Sequence, residues 1–297
     1  KLTFYGLEKN ATTIRLAKMN LAVHGLEGDI QKAITYYEDP HELLSKANFV
    51  MANPPFNVDE IDADKVGNDP RLPFGLPGVN KKGKVSNGNY VWISYFYSYL
   101  NEKGRAGFVM SSQASSAGRD EARVRRKLVE TGDVDIMVAI RSNFFYTRTV
   151  PCELWFLNRD KPEAHRDKVL MIDARNIYRK VTRKIYDFSP EQEQNLLAIV
   201  WLYRGETQRY LDLVAGYCRS MLSEGAACFS MKDDDGETVE PITDFIGALT
   251  SLRSSVEPFL KTLAKGAPHT EPLKELDEAI QLFRADVETF QQIVSEQ

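Results

Sequence analysis

The sequence contains no run of eighteen or more apolar residues, so nothing in it reads as a membrane-spanning helix. It has only three cysteines, Cys152, Cys218 and Cys228, with no CxxC spacing. That argues against a disulfide scaffold and a cysteine zinc site, and it favours a reducing cytoplasm. Its four histidines (His24, His41, His165, His269) are too scattered to set up a metal site, so no metal is expected. The opening Lys1-Leu2-Thr3-Phe4-Tyr5-Gly6 has neither methionine nor a basic-then-apolar signal pattern, and reads like the middle of a protein. What is there is ordinary for a globular protein: 297 residues, 43% apolar and 27% charged, enough to bury a full core.

The net charge of −4 hides an asymmetry. Residues 1–188 hold 29 basic and 23 acidic side chains, net +6, whereas residues 189–297 hold 9 and 19, net −10. Residues 71–184 alone carry 22 basic and 11 acidic. Such a split suggests a surface for a polyanion in front and a different role behind.

The front part alternates short apolar runs with helical patterns. Strands are expected at 2–6, 33–37, 48–52, 106–110, 134–140 and 152–157, and helices at 11–24, 41–46, 90–101 and 119–131. Asn10 or Thr12 would cap the first helix and Gly25 would stop it. Strands joined by helical crossovers mean a mostly parallel α/β sheet. The last two strands, with no long helix between them, suggest an antiparallel hairpin at one edge. The helix at 90–101 has an aromatic face of Tyr90, Trp92, Tyr95, Phe96, Tyr97 and Tyr99. Residues 57–89, rich in glycine and proline and ending in Lys81, Lys82 and Lys84, look like a long loop without elements.

The back part is helical. Ser189-Pro190-Glu191-Gln192 is a helix-start signature, and helices are expected at 190–203 and 206–223. Ile242, Phe245, Leu249, Leu252, Val256, Phe259 and Leu263 are spaced 3-4-3-4-3-4, and Leu273, Leu276, Ile280, Phe283, Val287, Phe290 and Val294 repeat the spacing. Gly266 and Pro268 break between them, so an antiparallel coiled-coil-like hairpin is expected, with Pro258 kinking its first arm. It either packs on its own domain or docks another subunit.

The sharpest chemical signal is Asn53-Pro54-Pro55-Phe56, directly after an apolar strand. Ligands of open α/β sheets sit beyond the carboxyl ends of strands. Two prolines stiffen the turn and remove two donors, leaving carbonyls free to accept. The Asn53 amide oxygen and a nearby carbonyl could hold an exocyclic NH2 group with its lone pair outward, and Phe56 offers a flat face for stacking a base. Asn53 is neutral, so it would position and polarise the amine rather than act as a strong base. Glu8, just past the first strand, could accept from both hydroxyls of a ribose.

Glu8, the helix segment Arg15-Leu16-Ala17-Lys18-Met19-Asn20-Leu21, the run from Asn48 to Asn57 (NFVMANPPFN) and the segment Phe144 to Pro151 (FFYTRTVP) together resemble the DNA adenine-N6 methyltransferases, above all the modification (M) subunit of type I restriction-modification systems. The resemblance covers residues 1–188 well and the tail loosely. It implies an S-adenosylmethionine-dependent, Rossmann-like catalytic domain over 1–188 and a helical subunit-docking region over 189–297. It implies S-adenosylmethionine as methyl donor, with Glu8 on its ribose, and a target adenine gripped by Asn53 and Pro54, with Pro55 in the same turn and Phe56 stacking. It also implies double-stranded DNA as substrate and a specificity (S) subunit docked through the C-terminal helices. A second M subunit and a restriction subunit are candidate further partners. The family's first strand and glycine-rich turn, which receive the donor's methionine part, do not precede Glu8 in this sequence, so these residues alone are expected to bind the donor poorly. The serine run Ser111-Ser112-Gln113-Ala114-Ser115-Ser116 also departs from the Pro/Gly turn of many relatives.

A duplex base must be flipped out before its amine can reach a methyl donor. Contacts to flanking phosphates can offset that cost; the candidates are Arg119, Arg123, Arg125, Arg126 and Lys127 on one helix, Arg175, Arg179, Lys180, Arg183 and Lys184 after the sheet, and Lys81, Lys82 and Lys84. Phe145 or Tyr146 could cover the flipped base, and Thr35-Tyr36 could lie near the donor's adenine. Other planar amines use similar turns. A release-factor glutamine, an rRNA guanine and cytosine N4 therefore remain alternative substrates, and a non-catalytic assembly module is the reading from another class.

Overall fold

The computed structural model describes residues 2–145, 149–261 and 270–296. It divides into two compact units, Lys1–Gln194 and Asn195–Gln297.

In the first unit, β1 (Phe4–Glu8) and β2 (Gly28–Lys32) form a parallel pair, joined by α1 (Ala11–Val23). The Asn10 side chain accepts a hydrogen bond from the Thr12 backbone N–H at 2.8 Å, which starts α1, and Gly25 follows it at φ +66°. The second strand thus lies at 28–32 and not at 33–37. Past Lys32 the chain turns: Ile34 N–H donates to the Glu38 carboxylate, and Ile34 C=O accepts from Tyr37 and Glu38. Of the apolar residues there, Ala33 is buried and the Tyr36 ring lies 4.7 Å from that of Trp92, while Ile34 and Tyr37 are exposed. Nor do residues 41–46 form a helix. Glu42 and Ser45 sit at φ +49° and +60°, left-handed conformations that an α-helix does not contain. This stretch ties elements together instead: the His41 ring lies 3.1 Å from Gly6 O, and Ser45 N–H donates to Ser98 O.

A five-stranded sheet follows, built from β3 (Ala47–Ala52), β4 (Leu100–Ser111), β5 (Val134–Ile140), β6 (Cys152–Asn158) and β7 (Leu170–Asp173). Its order is β3-β4-β6-β5-β7, and β6 alone runs antiparallel to its neighbours. The expected β5–β6 hairpin therefore exists but is not at an edge. β6 lies between β4 and β5, with Trp155 and Leu157 fully buried, and β7 takes the edge. It follows that β3, β4, β5 and β7 all point one way, so their carboxyl ends share one rim of the sheet.

Among the crossovers are α2 (Ala63–Val66), α3 (Asn89–Tyr99), α4 (Gln113–Ser116) and α5 (Arg119–Glu130). The α3 helix has no single aromatic face but bridges two cores. Tyr90, Ile93 and Phe96 join the cluster around Trp155 and Phe108, and Val91 and Tyr95 join a second cluster with Ile61, Val66, Leu72 and Val85. That second cluster corrects the reading of 57–89 as a structureless loop: the segment folds around its own apolar residues. Arg71, only 2% exposed, fixes it further. Its guanidinium donates to both Asp69 oxygens, to Thr35 O, to Glu38 O and to the Tyr99 hydroxyl, and lies 4.1 Å over the Tyr95 ring. Burial works against the Arg71 charge, but the hydrogen bonds to Asp69 and Tyr99 hold its pKa above the usual guanidinium value. Burial likewise opposes the Asp69 charge, yet Arg71 holds that carboxyl below the usual range. The unit ends in an antiparallel ribbon, β8 (Arg179–Thr182) with β9 (Ile185–Asp187).

The second unit contains most of α6 (Pro190–Tyr203), then α7 (Thr207–Phe229), a short β10 (Met231–Lys232) and β11 (Thr238–Val239) pair, α8 (Pro241–Lys261) and α9 (Thr270–Ser295). Ser189 and Gln192 cap α6 reciprocally: each side chain accepts from the other's backbone N–H, at 3.2 and 3.0 Å. Arg253 reaches Asp277 with two hydrogen bonds and Arg284 reaches Thr250, so α8 and α9 run antiparallel. The seam is not the self-contained coiled coil expected from the heptads. Ile246, off that pattern, is buried with Ile280, while Phe245, Leu252, Leu276 and Phe283 are exposed. A third helix takes part instead. Gly225 lets α7 approach Phe290 and Val294 so closely that a Cβ there would lie 2.6 Å from the Phe290 ring. The side chains of Val256, Phe259 and Leu273, and Leu263, Gly266 and Pro268 altogether, lie outside the described residues.

Candidate active site

The rim formed by the carboxyl ends of the parallel strands carries Asn53-Pro54-Pro55-Phe56 at the end of β3. Asn53 and Pro55 are exposed, Pro54 is buried, and Phe56 is half-buried against the main core cluster. Among the described residues no hydrogen bond engages the Asn53 amide, so both its oxygen and its NH2 group face solvent.

The turn is held from behind by three amides. Asn57, at φ +57°, donates its backbone N–H to Asn89 Oδ1 at 2.9 Å. Its own Oδ1 accepts from Asn89 Nδ2 at 2.9 Å and from Asn87 Nδ2 at 3.1 Å. Gly88 N–H donates to Val58 O at 2.7 Å. Asn89 is the first residue of α3 and only 1% exposed, so the start of that helix grips the exit of the turn. Sequence reasoning missed this clamp. Its signal, Asn87-Gly88-Asn89 thirty residues downstream, is legible only once the partner asparagine is known.

On the other sheet, Glu8 closes β1, and one of its carboxylate oxygens accepts from Asn10 N–H at 2.8 Å. Beside it lies a cavity of about 670 Å³ lined by Lys9, Asn10, Lys32, Ala33, Ile34 and Glu38, a size usual for small-ligand sites. Glu8 borders this lining through the Ala33 N–H that donates to its carbonyl. Thr35 and Tyr36 are not in the lining. Their carbonyls accept from Arg71 and from the Tyr95 hydroxyl, and the Tyr36 ring packs inward on Trp92. Burial pushes the Tyr36 hydroxyl up to about 12.

The serine run after β4 is ordered on the same rim. Ser115 donates to Glu153, and Ala114 O accepts from the Tyr90 hydroxyl and from Arg125. Phe145, after β5, is half-buried; Tyr146 lies outside the described residues.

Several of the expected phosphate-binding cations have other work. Arg125 donates to Ala114 O and Ala117 O, Lys127 to Phe74 O, and Lys84 pairs with Asp62 at 3.0 Å. Arg175 pairs with Asp173 and Arg179 with Asp187, both at 2.7 Å. Arg123 makes an exposed pair with Asp120 at 3.2 Å. Exposed and without an ion pair among the described residues are Lys81 and Lys82, at the tip of a turn closed by Asn80, Arg119 and Arg126 on α5, and Lys180, Arg183 and Lys184. Arg119, Arg123 and Arg126 share one face of α5, with Arg119 at the rim.

Comparison with known proteins bears on the same region. The profile of the family described as N-6 DNA Methylase matches residues 1–224. A type I restriction enzyme MjaIX methylase subunit of Methanocaldococcus jannaschii is 39% identical over 188 residues, 62% of this chain and 33% of that protein. The HindI methylase subunit of Haemophilus influenzae is 30% identical over 225 residues, 75% of this chain and 48% of that protein. Among solved structures, the methyltransferase subunit of a type I restriction-modification system from Streptococcus thermophilus has the same fold, with a TM-score of 0.57 and 24% identity over 66% of this chain and 41% of that one. The chain thus spans about a third to a half of the length of these proteins.

Proposed function

The chain belongs to the N-6 DNA methylase family, and from that premise we propose that it carries the target-amine half of an enzyme that methylates adenine N6 in double-stranded DNA, as the modification subunit of a type I restriction-modification complex. The observation that carries this reading is the exposed Asn53 amide on a turn stiffened by two prolines and clamped by Asn57 and Asn89. A planar NH2 group would donate to Asn53 Oδ1 and to a carbonyl of the turn, which draws its hydrogens into one plane and leaves the nitrogen lone pair facing outward. Asn53 holds no negative charge and would take no proton: the amine nitrogen would bond the methyl carbon as the donor's S–C bond breaks to leave a neutral thioether, and the now cationic nitrogen would then give its proton to water. Phe56, backed by the core, would stack on the flipped base.

S-adenosylmethionine supplies a methyl group on a positively charged sulfur. The open pocket beside Glu8 would receive the adenosine part of that group, with the carboxylate oxygen of Glu8 that Asn10 does not engage directed to the ribose hydroxyls. Thr35 and Tyr36 would shape it through their backbone from behind, with Ala33 and Ile34 as the facing residues. The methionine part would need a further parallel strand and its glycine-rich turn. The unpaired edges of β1 and β3 and the exposure of Phe49 and Met51 support such a strand. The exposed Phe245, Leu252, Leu276 and Phe283 support docking of a specificity subunit on the helical unit.

Nucleoside mass spectrometry of DNA from cells carrying the gene with its partner genes tests the reading. N6-methyladenine should depend on the gene and fall by about 10²-fold or more with Asn53→Ala, by analogy with loss of one positioned polar group. Gene-dependent N6-methyladenine unchanged in Asn53→Ala would sink the assignment of the turn.

A further inference from the structure

The ribbon β8–β9 has no part in the site described above, yet it is built to stay rigid and to present positive charge. Six consecutive residues, Arg179–Lys184, are exposed. Arg179 is neutralised by Asp187 across the ribbon, with hydrogen bonds of 2.9 and 2.7 Å. Lys180, Arg183 and Lys184 then stand as three positive charges on one short hairpin, with Arg183 and Lys184 forming its tip.

The base of the ribbon is fastened to the segment after β5. Tyr186 N–H donates to Asn143 O at 3.1 Å, and the Phe144 and Phe188 rings meet at 4.7 Å. The Arg141 guanidinium lies 4.3 Å over the Tyr178 ring and 4.7 Å over that of Tyr186. A loop that only linked two units would need none of this. Because β5 and β3 point the same way, the fastening puts the ribbon base on the same rim as Asn53. Three strand spacings separate β3 from β5, about 14 Å.

We propose that the β8–β9 ribbon is a DNA-backbone clamp, in which Lys180, Arg183 and Lys184 contact phosphates of the duplex flanking the target base. This rests on the DNA reading of the Asn53 turn and adds to it a place where the flanking duplex is held. The contacts are sequence-blind, since a tip of two flexible cations meets phosphate oxygens and not base edges. A duplex fixed on that side supplies binding free energy against the cost of extruding the base.

The test measures duplex binding by the complete complex as a function of salt. With about 0.9 counterions released per phosphate contact, K180A/R183A/K184A should lower the log–log salt slope by two to three. The charge-keeping variant K180R/R183K/K184R should retain the slope, because charge and not shape is at stake. Shortening the duplex stepwise on each side of the target adenine should, on one side, weaken the wild type at a length that leaves the alanine variant unchanged. A slope unchanged in the alanine variant, in a complex that still makes N6-methyladenine, overturns the clamp and leaves the function standing. A wild-type complex that binds no duplex overturns both.

Discussion

The two layers of the first unit differ in how they cover their apolar surface. The five-stranded sheet is covered by its own chain except at its β3 edge: Trp155, Phe108, Met110 and Leu128 are buried and α3 supplies aromatic rings to two clusters at once, while Phe49 and Met51 on β3 are 71% and 92% exposed. The β1–α1–β2 layer is not. No residue of α1 is buried, and Leu16 and Met19 are exposed. The turn that would hold the target amine is therefore preorganised by buried residues, whereas the layer proposed to hold the methyl donor leaves its helix exposed. Preorganisation matters most where a neutral amide must align an amine to within a fraction of an ångström.

If that contrast is right, the largest effect on stability comes from Arg71, which joins the layers by holding Thr35 and Glu38 against the 57–89 segment. Arg71→Ala removes the guanidinium from the half-buried Asp69 and from the Thr35 and Glu38 carbonyls, and should cost about 1–3 kcal/mol, read as a fall in the urea midpoint. A pH dependence accompanies the pair. The folded Asp69 pKa lies below its unfolded value of about 3.9, so the stability it contributes is present above that value. It fades as pH falls through the lower folded pKa. Wild-type stability should drop more steeply than that of Arg71→Ala below about pH 4, and parallel acid titrations would argue against the pair.

A smaller effect, within the same range, is expected at Asn89. Asn89→Ala leaves Asn57 without its buried partner and should cost about 1–3 kcal/mol. Its sharper consequence is local, because the turn loses its clamp while Asn53 remains. Methylation should fall through kcat more than through DNA affinity. A variant that loses stability but keeps kcat would show that the prolines alone hold the turn.

These residues explain what could and could not be read from the sequence. The tetrapeptide, the strand before it and the Ser189–Gln192 cap are local, carried by neighbouring residues, and their reading needs no knowledge of the fold. The polar strand Gly28–Lys32 was invisible because its pairing partner β1, and not its own composition, makes it a strand. The place of β6 between β4 and β5 is a matter of pairing partners, and periodicity along one strand does not encode that. The clamp on Asn53 and the Arg71 network join residues about thirty positions apart. A single sequence shows both ends and nothing of their meeting.

The smallest effect is expected at the open β3 edge of the five-stranded sheet. In the 297-residue chain, Met51→Ser exchanges a side chain already in water and should change stability by no more than about 0.5 kcal/mol. In a longer chain carrying the proposed further strand, the same position would be covered, and the substitution should cost about 1 kcal/mol or more. Measuring both chains separates two physical causes of an exposed methionine. If the cost rises only in the longer chain, the edge of β3 is an interior surface awaiting its neighbour. If it stays small in both, the exposure belongs to the fold itself, and the donor half must be completed at some other edge.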